Sequence, residues 1–344
     1  MTTANTADTA EGSDASEAAD TVTTVPVLEV EDVRVDYGTR GSRFTAVSGV
    51  SFALHAGETL GVVGESGCGK SSLGRAVLQL TPPTSGSVRL GGRELTGLGR
   101  RGMRPVRRRM QVVLQDPVSS LNPRRRIIDI VGEGLVVGGA SKGEARRRAA
   151  EVLREVGMDP DAVGHRHPHE FSGGQCQRVA IARAMAMRPQ VLVCDEPVAS
   201  LDVSVQAQVL NLLADMKAEH HLAMLFISHD LSVVTTICDR VAVMYLGTVV
   251  EIGPTEEIHR RPAHPYTRIL LDSVPVPDPE TVDDRPGIQG ELPSPGNPPS
   301  GCRFRTRCPR AQQLCADVVP PLAAPAGRTA VACHFPLEPG ETLG

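Results

Sequence analysis

Three short stretches of this chain have residue types and spacings suited to handling phosphate. Gly64-Glu65-Ser66-Gly67-Cys68-Gly69-Lys70-Ser71 is a glycine-rich turn that ends on a Lys-Ser pair, with Ser72 next. Such a turn aims backbone N–H groups inward around a phosphate, and a helix starting at its end adds a positive dipole. Lys70 would reach the β and γ oxygens, and the Ser71 hydroxyl would bind Mg²⁺. Val191-Leu192-Val193-Cys194-Asp195-Glu196 is an apolar run closed by two acids. Asp195 would support Mg²⁺ from behind its direct ligands, and Glu196 would orient and polarise an attacking water. Between them lies Phe171-Ser172-Gly173-Gly174-Gln175, a second small-residue turn opening a helix.

Two further side chains share this address. His229 follows the apolar run Leu225-Phe226-Ile227-Ser228, and Gln115 follows Met110–Leu114. Open α/β sheets bind ligands at the carboxyl ends of their strands, so both should emerge beside the phosphate loop. His229 could donate to a γ-phosphate, and Gln115 could contact Mg²⁺ or the water. Taken singly, an acidic pair is a solvated strand end and a lone His is a surface residue. Their shared position behind a phosphate loop favours catalysis.

The elements that position these residues follow from periodicity. Val27–Asp36 alternates apolar and polar residues, as does Val50–Leu54, and Thr59–Val63 is a short buried strand entering the loop. Strands are also expected at Ser87–Leu90, Met110–Leu114, Val191–Cys194 and Ala223–Ile227, with a hairpin over Val241–Ile252 turning near Gly247. Helices are expected at Ser71–Leu80, Ala140–Val156, Gln175–Met187 and Val205–Glu219, with residues 117–190 mostly helical. This alternation implies a mainly parallel sheet covered by helices.

Composition narrows the function. The 344 residues carry a net charge of −4, nine aromatics and no Trp, so neither a basic field nor a stacking surface points to nucleic acid. The longest apolar runs, such as Leu222–Ile227, are far below a membrane span. Residues 1–25 are rich in Thr, Ala, Ser and acids, with no basic start or apolar middle; we expect disorder there and a cytosolic chain. Eight prolines between Pro275 and Pro299 mark an extended segment. Four of the eight cysteines, Cys302, Cys308, Cys315 and Cys333, fall in the last 43 residues. In a cytosolic chain four such thiolates suit an iron–sulfur cluster or structural zinc ahead of disulfides, with free thiols as the third reading.

All these motifs, in this order, resemble the ATP-binding subunits of ABC transporters over about 230 residues. The resemblance implies a P-loop ATPase core with a mainly parallel sheet, an antiparallel β subdomain and a helical subdomain at about 117–190. It makes Tyr37 the aromatic that stacks on adenine, Ser172-Gly173-Gly174-Gln175 the signature and Ser200-Leu201-Asp202 the D-loop. Two such subunits pair head to tail, each ATP lying between one phosphate loop and the other subunit's signature. Phe171 in place of the commoner Leu, and Cys176 after Gln175, are mild departures.

Leu114-Gln115-Asp116-Pro117, Ser120-Leu121-Asn122-Pro123-Arg124, His167-Pro168-His169-Glu170-Phe171 and Ala263-His264-Pro265-Tyr266-Thr267 narrow the resemblance to the oligopeptide/dipeptide importers. So does the tail Gly301–Pro309. This implies an ATPase domain at 26–255 and a loop-rich C-terminal domain at 256–344 holding a [4Fe–4S] cluster, with Zn²⁺ as the alternative. It further implies two membrane permease subunits, a second ATPase in a heterodimer ahead of a homodimer, an extracellular solute-binding protein, and a peripheral position on the cytoplasmic face of a bacterial membrane. Nickel or another small solute remains an alternative cargo. A soluble ABC ATPase and an iron–sulfur sensor are the rival functions.

Overall fold

A computed structural model of the chain describes residues 25–39, 42–273, 290–324, 329–341 and 343. The disorder expected at 1–24 and the first half of the proline-rich segment lie outside the described residues.

Among the described residues, eleven strands form two sheets. The first is antiparallel, in the order β2-β1-β4-β5, from β1 (Leu28–Tyr37), β2 (Phe44–Leu54), β4 (Ser85–Leu90) and β5 (Arg93–Glu94). The second is seven-stranded, in the order β11-β10-β9-β3-β8-β7-β6. Its members are β3 (Thr59–Val63), β6 (Met110–Val113), β7 (Val191–Asp195), β8 (Ala223–Ser228), β9 (Arg240–Tyr245), β10 (Thr248–Pro254) and β11 (Ala330–Val331). Strands β6, β7, β8, β3 and β9 run parallel, while β10 and β11 are antiparallel additions at one edge. The structure is therefore the α/β class that the alternation implies.

The central strands read as unbroken apolar runs because both faces are covered. Their side chains alternate between two cores. Leu60, Val62, Val191, Val193, Leu225 and Ile227 pack toward the antiparallel sheet and the helix Lys70–Val77. Val63, Leu192, Cys194, Met224 and Phe226 pack toward the helices on the other side. Gly61 belongs to this second face, where a Cβ would sit 2.4 Å from Val234 Cγ1, so glycine lets the helix Leu231–Ile237 lie directly on the strand.

Residues 117–190 supply the helices Pro117–Ser120, Ile127–Val131, Glu133–Val137, Lys142–Glu155, Pro160–Val163 and Gly173–Met185. Lys142–Glu155 begins with a reciprocal capping box between Ser141 and Glu144. Two expectations fell short. β2 starts at Phe44, well before Val50, because its first half is partly exposed and lacks clean alternation. The helix Arg100–Arg109 lies where no helix was expected, since its arginines and Pro105 interrupt any apolar pattern; Met103 and Val106 nevertheless anchor it.

Candidate functional site

Strand β3 delivers the chain directly into the phosphate loop. Gly69 occupies the N-cap of the helix Lys70–Val77 at φ 110°, and a Cβ there would lie 2.2 Å from the Ala46 carbonyl oxygen. Only glycine permits both the left-handed turn and this close approach. Above the loop is a cavity of about 300 Å³. Ser66, Gly67, Cys68, Gly69, Lys70, Ser71 and Ser72 line it, together with Tyr37 and Phe44 from the antiparallel sheet and Gln115 and Glu196 from the ends of β6 and β7. The Tyr37 and Phe44 rings lie 5.7 Å apart, offering an aromatic wall at one side.

The polar groups are already interlocked. Lys70 Nζ, almost fully buried, donates to the carbonyls of Gly64 at 2.8 Å and Glu65 at 3.0 Å. Ser71 Oγ donates to Asp195 Oδ1 at 2.8 Å. Burial pushes Asp195 above the ordinary carboxylate range, the Ser71 bond opposes this, and the charge of Glu196 adds to it. Gln115 Nε2 donates to Glu196 Oε2 at 3.0 Å, and His229 Nδ1 lies 3.3 Å from the same oxygen. Glu196 itself adopts φ 49°, a left-handed conformation that is rare outside glycine, while its N–H donates to Ile227 O. That backbone twist aims its carboxylate between Gln115 and His229. Cys68 is buried, which raises its thiol pKa and leaves it neutral, so it acts as a small wall residue.

Comparison with known proteins agrees with this geometry. Residues 47–199 match the ABC transporter family, and residues 250–315 match the oligopeptide/dipeptide transporter C-terminal region. A putative peptide import ATP-binding protein of Brucella ovis is 51% identical over 287 residues, which cover 83% of this chain and 90% of that protein. The oligopeptide transport ATP-binding protein OppF of Escherichia coli is 51% identical over 80% of this chain and 84% of its own. The chain belongs to the oligopeptide/dipeptide branch of ABC transporter ATP-binding subunits.

Solved members share the cassette. CbiO1 from Clostridium perfringens matches with a TM-score of 0.61 and 30% identity, covering 68% of this chain and 90% of that one. The cassette MJ0796, in a dimeric post-hydrolysis state with ADP and Pi, matches with a TM-score of 0.61 and 27% identity, covering 66% and 98%. This subunit is accordingly an ABC ATPase.

The signature stands apart from the cavity, as a head-to-tail family requires. Ser172, Gly173 and Gln175 are exposed at the start of the helix Gly173–Met185. Ser172 Oγ accepts from Gln175 N while Gln175 Oε1 accepts from Ser172 N, so the two hold the helix end open as a pair. Gly174 packs on the D-loop helix, where a Cβ would meet Val205 Cγ1 at 2.4 Å. Asp202 caps that helix, Val203–His220, accepting from Val205 N at 3.0 Å. Both departures from the signature pattern have local explanations. Cys176 points inward, where its thiol donates to Pro168 O, and Phe171 carries the Arg166 guanidinium 4.3 Å above its ring.

Gly64 and Glu65, expected to bind nucleotide, do not line the cavity. The Glu65 N–H donates to Tyr266 Oη at 2.9 Å, and its carboxylate accepts from Arg307 Nη1 at 2.9 and 3.0 Å. Sequence reading also missed Phe44, whose only signal was a second aromatic shortly after Tyr37, and the Leu246-Gly247 turn as a cavity wall.

The four C-terminal cysteines do come together. Cys302, Cys308, Cys315 and Cys333 line one enclosed cavity of about 10 Å³, with Arg305, Arg310 and His264 around it. Burial raises the pKa of Cys302 and Cys308 and pushes that of Cys333 up to about 12. Among the described residues, no three His, Cys, Asp or Glu side chains are placed to hold one metal ion.

Proposed function

We propose that this chain is the ATP-hydrolysing subunit of a bacterial ABC importer for di- and oligopeptides. The observation that carries the mechanism is the Glu196 carboxylate, held between Gln115 and His229 at the wall of the phosphate-loop cavity. Peptide as cargo is supported by the C-terminal region and by the names of the relatives.

Each side chain has a task in that mechanism. Lys70 exchanges its two loop carbonyls for the β and γ oxygens of ATP. Tyr37 stacks on adenine. Glu196 accepts a proton from the attacking water, and His229 holds the γ-phosphate end of the site. Ser71, Asp195 and the Gln115 amide are the oxygen donors that Mg²⁺ prefers. With Gln115 Nε2 turned to Glu196, its amide oxygen is the end left for a cation. When bound, Mg²⁺ supplies neutralisation of the charge on the transferring phosphate. A partner's signature, presented like Ser172 and Gly173 here, closes the site with further anion donors. Hydrolysis removes the γ-phosphate that both halves grip, and the pair reopens.

We place the ATPase domain at 26–255 and the C-terminal domain at 256–344. The permease face is the groove of about 970 Å³ between the helices Arg100–Arg109, Glu133–Val137 and Gly173–Met185. It carries Arg104, Arg107, Arg108 and Arg183, and Val137 on its rim is two-thirds exposed. A permease helix with acidic and apolar residues fits this surface and would hold the subunit on the cytoplasmic side of the membrane. The partner ATPase is proposed to be a similar second chain, with a solute-binding protein outside.

The cysteine module suits a four-thiolate group, with Arg305 and Arg310 to offset its negative charge. Each iron of a [4Fe–4S] cluster takes one cysteine, so the thiolates need not converge on one point, whereas zinc requires that convergence. The sulfurs must spread to admit a cluster, because the present cavity is on the order of one water molecule. When bound, a cluster would supply cross-linking of a loop-rich tail.

The test is labelled-peptide uptake in cells lacking this chain. Restoration by the wild type and not by Glu196→Gln supports the reading; restoration by both would refute it. Iron, sulfide and zinc analysis of the anaerobically purified chain decides the metal.

A further inference from the structure

The segment Cys302–Cys308 does more than present two thiols. Two of its three interior arginines, Arg303 and Arg307, reach out of the cysteine module into the floor of the nucleotide site. Arg307 is almost fully buried, and a single nitrogen, Nη1, straddles both carboxylate oxygens of Glu65. Glu65 is the second residue of the phosphate loop, and its own N–H is taken by Tyr266 Oη. Tyr266 begins the helix Pro265–Asp272, whose cap is His264: Nδ1 accepts from Tyr266 N at 3.0 Å. The same His264 lines the cysteine cavity and is nearly inaccessible. Two routes thus run from the cysteines to Glu65, one through Arg307 and one through His264 and Tyr266.

Arg303 makes a third contact nearby. It donates to Leu246 O, and through Nη2 to Ser48 Oγ at 3.0 Å. The following residue, Gly247, donates its N–H to Cys68 O in the phosphate loop at 2.7 Å. The loop is therefore held from below at Glu65 and from the side at Cys68. Arg307 and Tyr266 make the first hold directly, while Arg303 reaches the second through Leu246, the neighbour of Gly247.

We propose that Glu65 is a positioning residue gripped by Arg307 and Tyr266, and that the cysteine module thereby sets how tightly the phosphate loop holds ATP. The physical argument is one of preorganisation. A loop that binds phosphate through its N–H groups must keep those groups pointed inward before the ligand arrives. Glu65 has no role inside the cavity, yet its N–H, C=O and carboxylate are all engaged, which fixes the peptide planes on either side. Until ATP takes over Lys70, its ammonium donates to Glu65 O, so the fixed residue also holds that group at the site. Coupling of this kind is reciprocal, so nucleotide must in turn stabilise the module.

The proposal rests on the ATPase reading, and the experiment separates the two. ATP affinity is measured with a fluorescent ATP analogue, and KM and kcat by phosphate release. The chains are wild type, Arg307→Ala, Arg307→Lys, Glu65→Gln and the double variant Glu65→Gln/Arg307→Ala. Arg307→Ala should weaken ATP binding about tenfold, within the range usual for coupled sites. It should raise KM more than it lowers kcat. Arg307→Lys should recover part of the loss, and the double variant should be no worse than the poorer single one. A second readout uses no turnover. ATP should slow the reaction of Cys302 and Cys308 with a thiol reagent in the wild type and not in Arg307→Ala. If Arg307→Ala does not fold, Glu65→Gln breaks the same pair from the loop side and carries the test alone. Affinities within twofold of wild type, or additive losses in the double variant, would overturn the coupling. A wild-type chain that binds no ATP would instead overturn the ATPase reading.

Discussion

The phosphate loop and the Ser172–Gln175 turn are the two anion-binding turns proposed for this subunit, and the fold treats them oppositely. Around the phosphate loop the principal side chains are engaged: Lys70 with Gly64 and Glu65, Ser71 with Asp195, Gln115 and His229 with Glu196. At the signature, Ser172 and Gln175 satisfy only each other, and the turn faces solvent beside Val203, which is 82% exposed. One half is a finished cavity wall; the other is a finished surface that waits for a second molecule. A variant in the first half should therefore change what a single chain does. A variant in the second should be silent until two chains meet.

Glu196→Gln should give the largest break. Proton acceptance is lost while the Gln115 and His229 contacts remain available, so steady-state hydrolysis should fall roughly 10²–10⁴-fold. ATP binding should persist, and the closed pair should accumulate, visible as an ATP-dependent shift in size-exclusion elution.

Tyr37→Ala comes next. Base–aromatic stacking contributes about 1–3 kcal/mol, so ATP affinity should drop roughly 5- to 150-fold, with little change in kcat at saturating ATP. Equilibrium binding to the single chain is the relevant measurement, because the wall formed by Tyr37 and Phe44 belongs to the cavity side.

Ser172→Ala sharpens the contrast. Losing this helix cap should lower stability by about 1 kcal/mol, read from denaturant unfolding. ATP affinity of the isolated chain should stay unchanged, while turnover in the assembled pair falls several-fold. A weakened monomer affinity would break the division between the two halves.

The smallest effect concerns acid. Burial lowers the pKa of His264 to about 3, below the ordinary value of 6.5. The unfolded chain therefore binds a proton that the folded chain refuses, so this contribution is fully present above pH 6.5 and shrinks as pH falls toward 3. Between pH 6.5 and 5 the loss should be on the order of 2 kcal/mol. Glu251, whose Oε2 accepts from the His264 N–H backbone group, has its pKa raised by burial and opposes the trend. His264→Asn keeps an acceptor at the helix cap and should flatten the pH dependence of Tm.

Legibility in the sequence followed the same divide between local and distant causes. The phosphate loop, Asp195, Glu196 and the central strands were readable because each needs only its own neighbours: glycines for a turn, apolar residues for a doubly covered strand. Gln115 and His229 were readable one step further, from the rule that strand ends share an edge. Arg307 and Tyr266 were not. Nothing near Glu65 in sequence announces a guanidinium 242 positions away, and the cysteines beside Arg307 offered a more obvious purpose for that segment. The helix Arg100–Arg109 stayed hidden because six arginines and Pro105 conceal the two residues, Met103 and Val106, that anchor it.

The strand β11 has a consequence for how the chain is made. Ala330 and Val331 complete the sheet beside β10, and Thr329 packs on Gly253 and donates to the buried Glu251. During synthesis this edge stays open until residues 329–331 have left the ribosome. A nascent chain stalled or cut before residue 329 would expose an unpaired strand and a buried carboxylate together, a form prone to clump or be degraded. Strand β11 thus works as a seal, closing the sheet edge and covering the carboxylate behind it in one step.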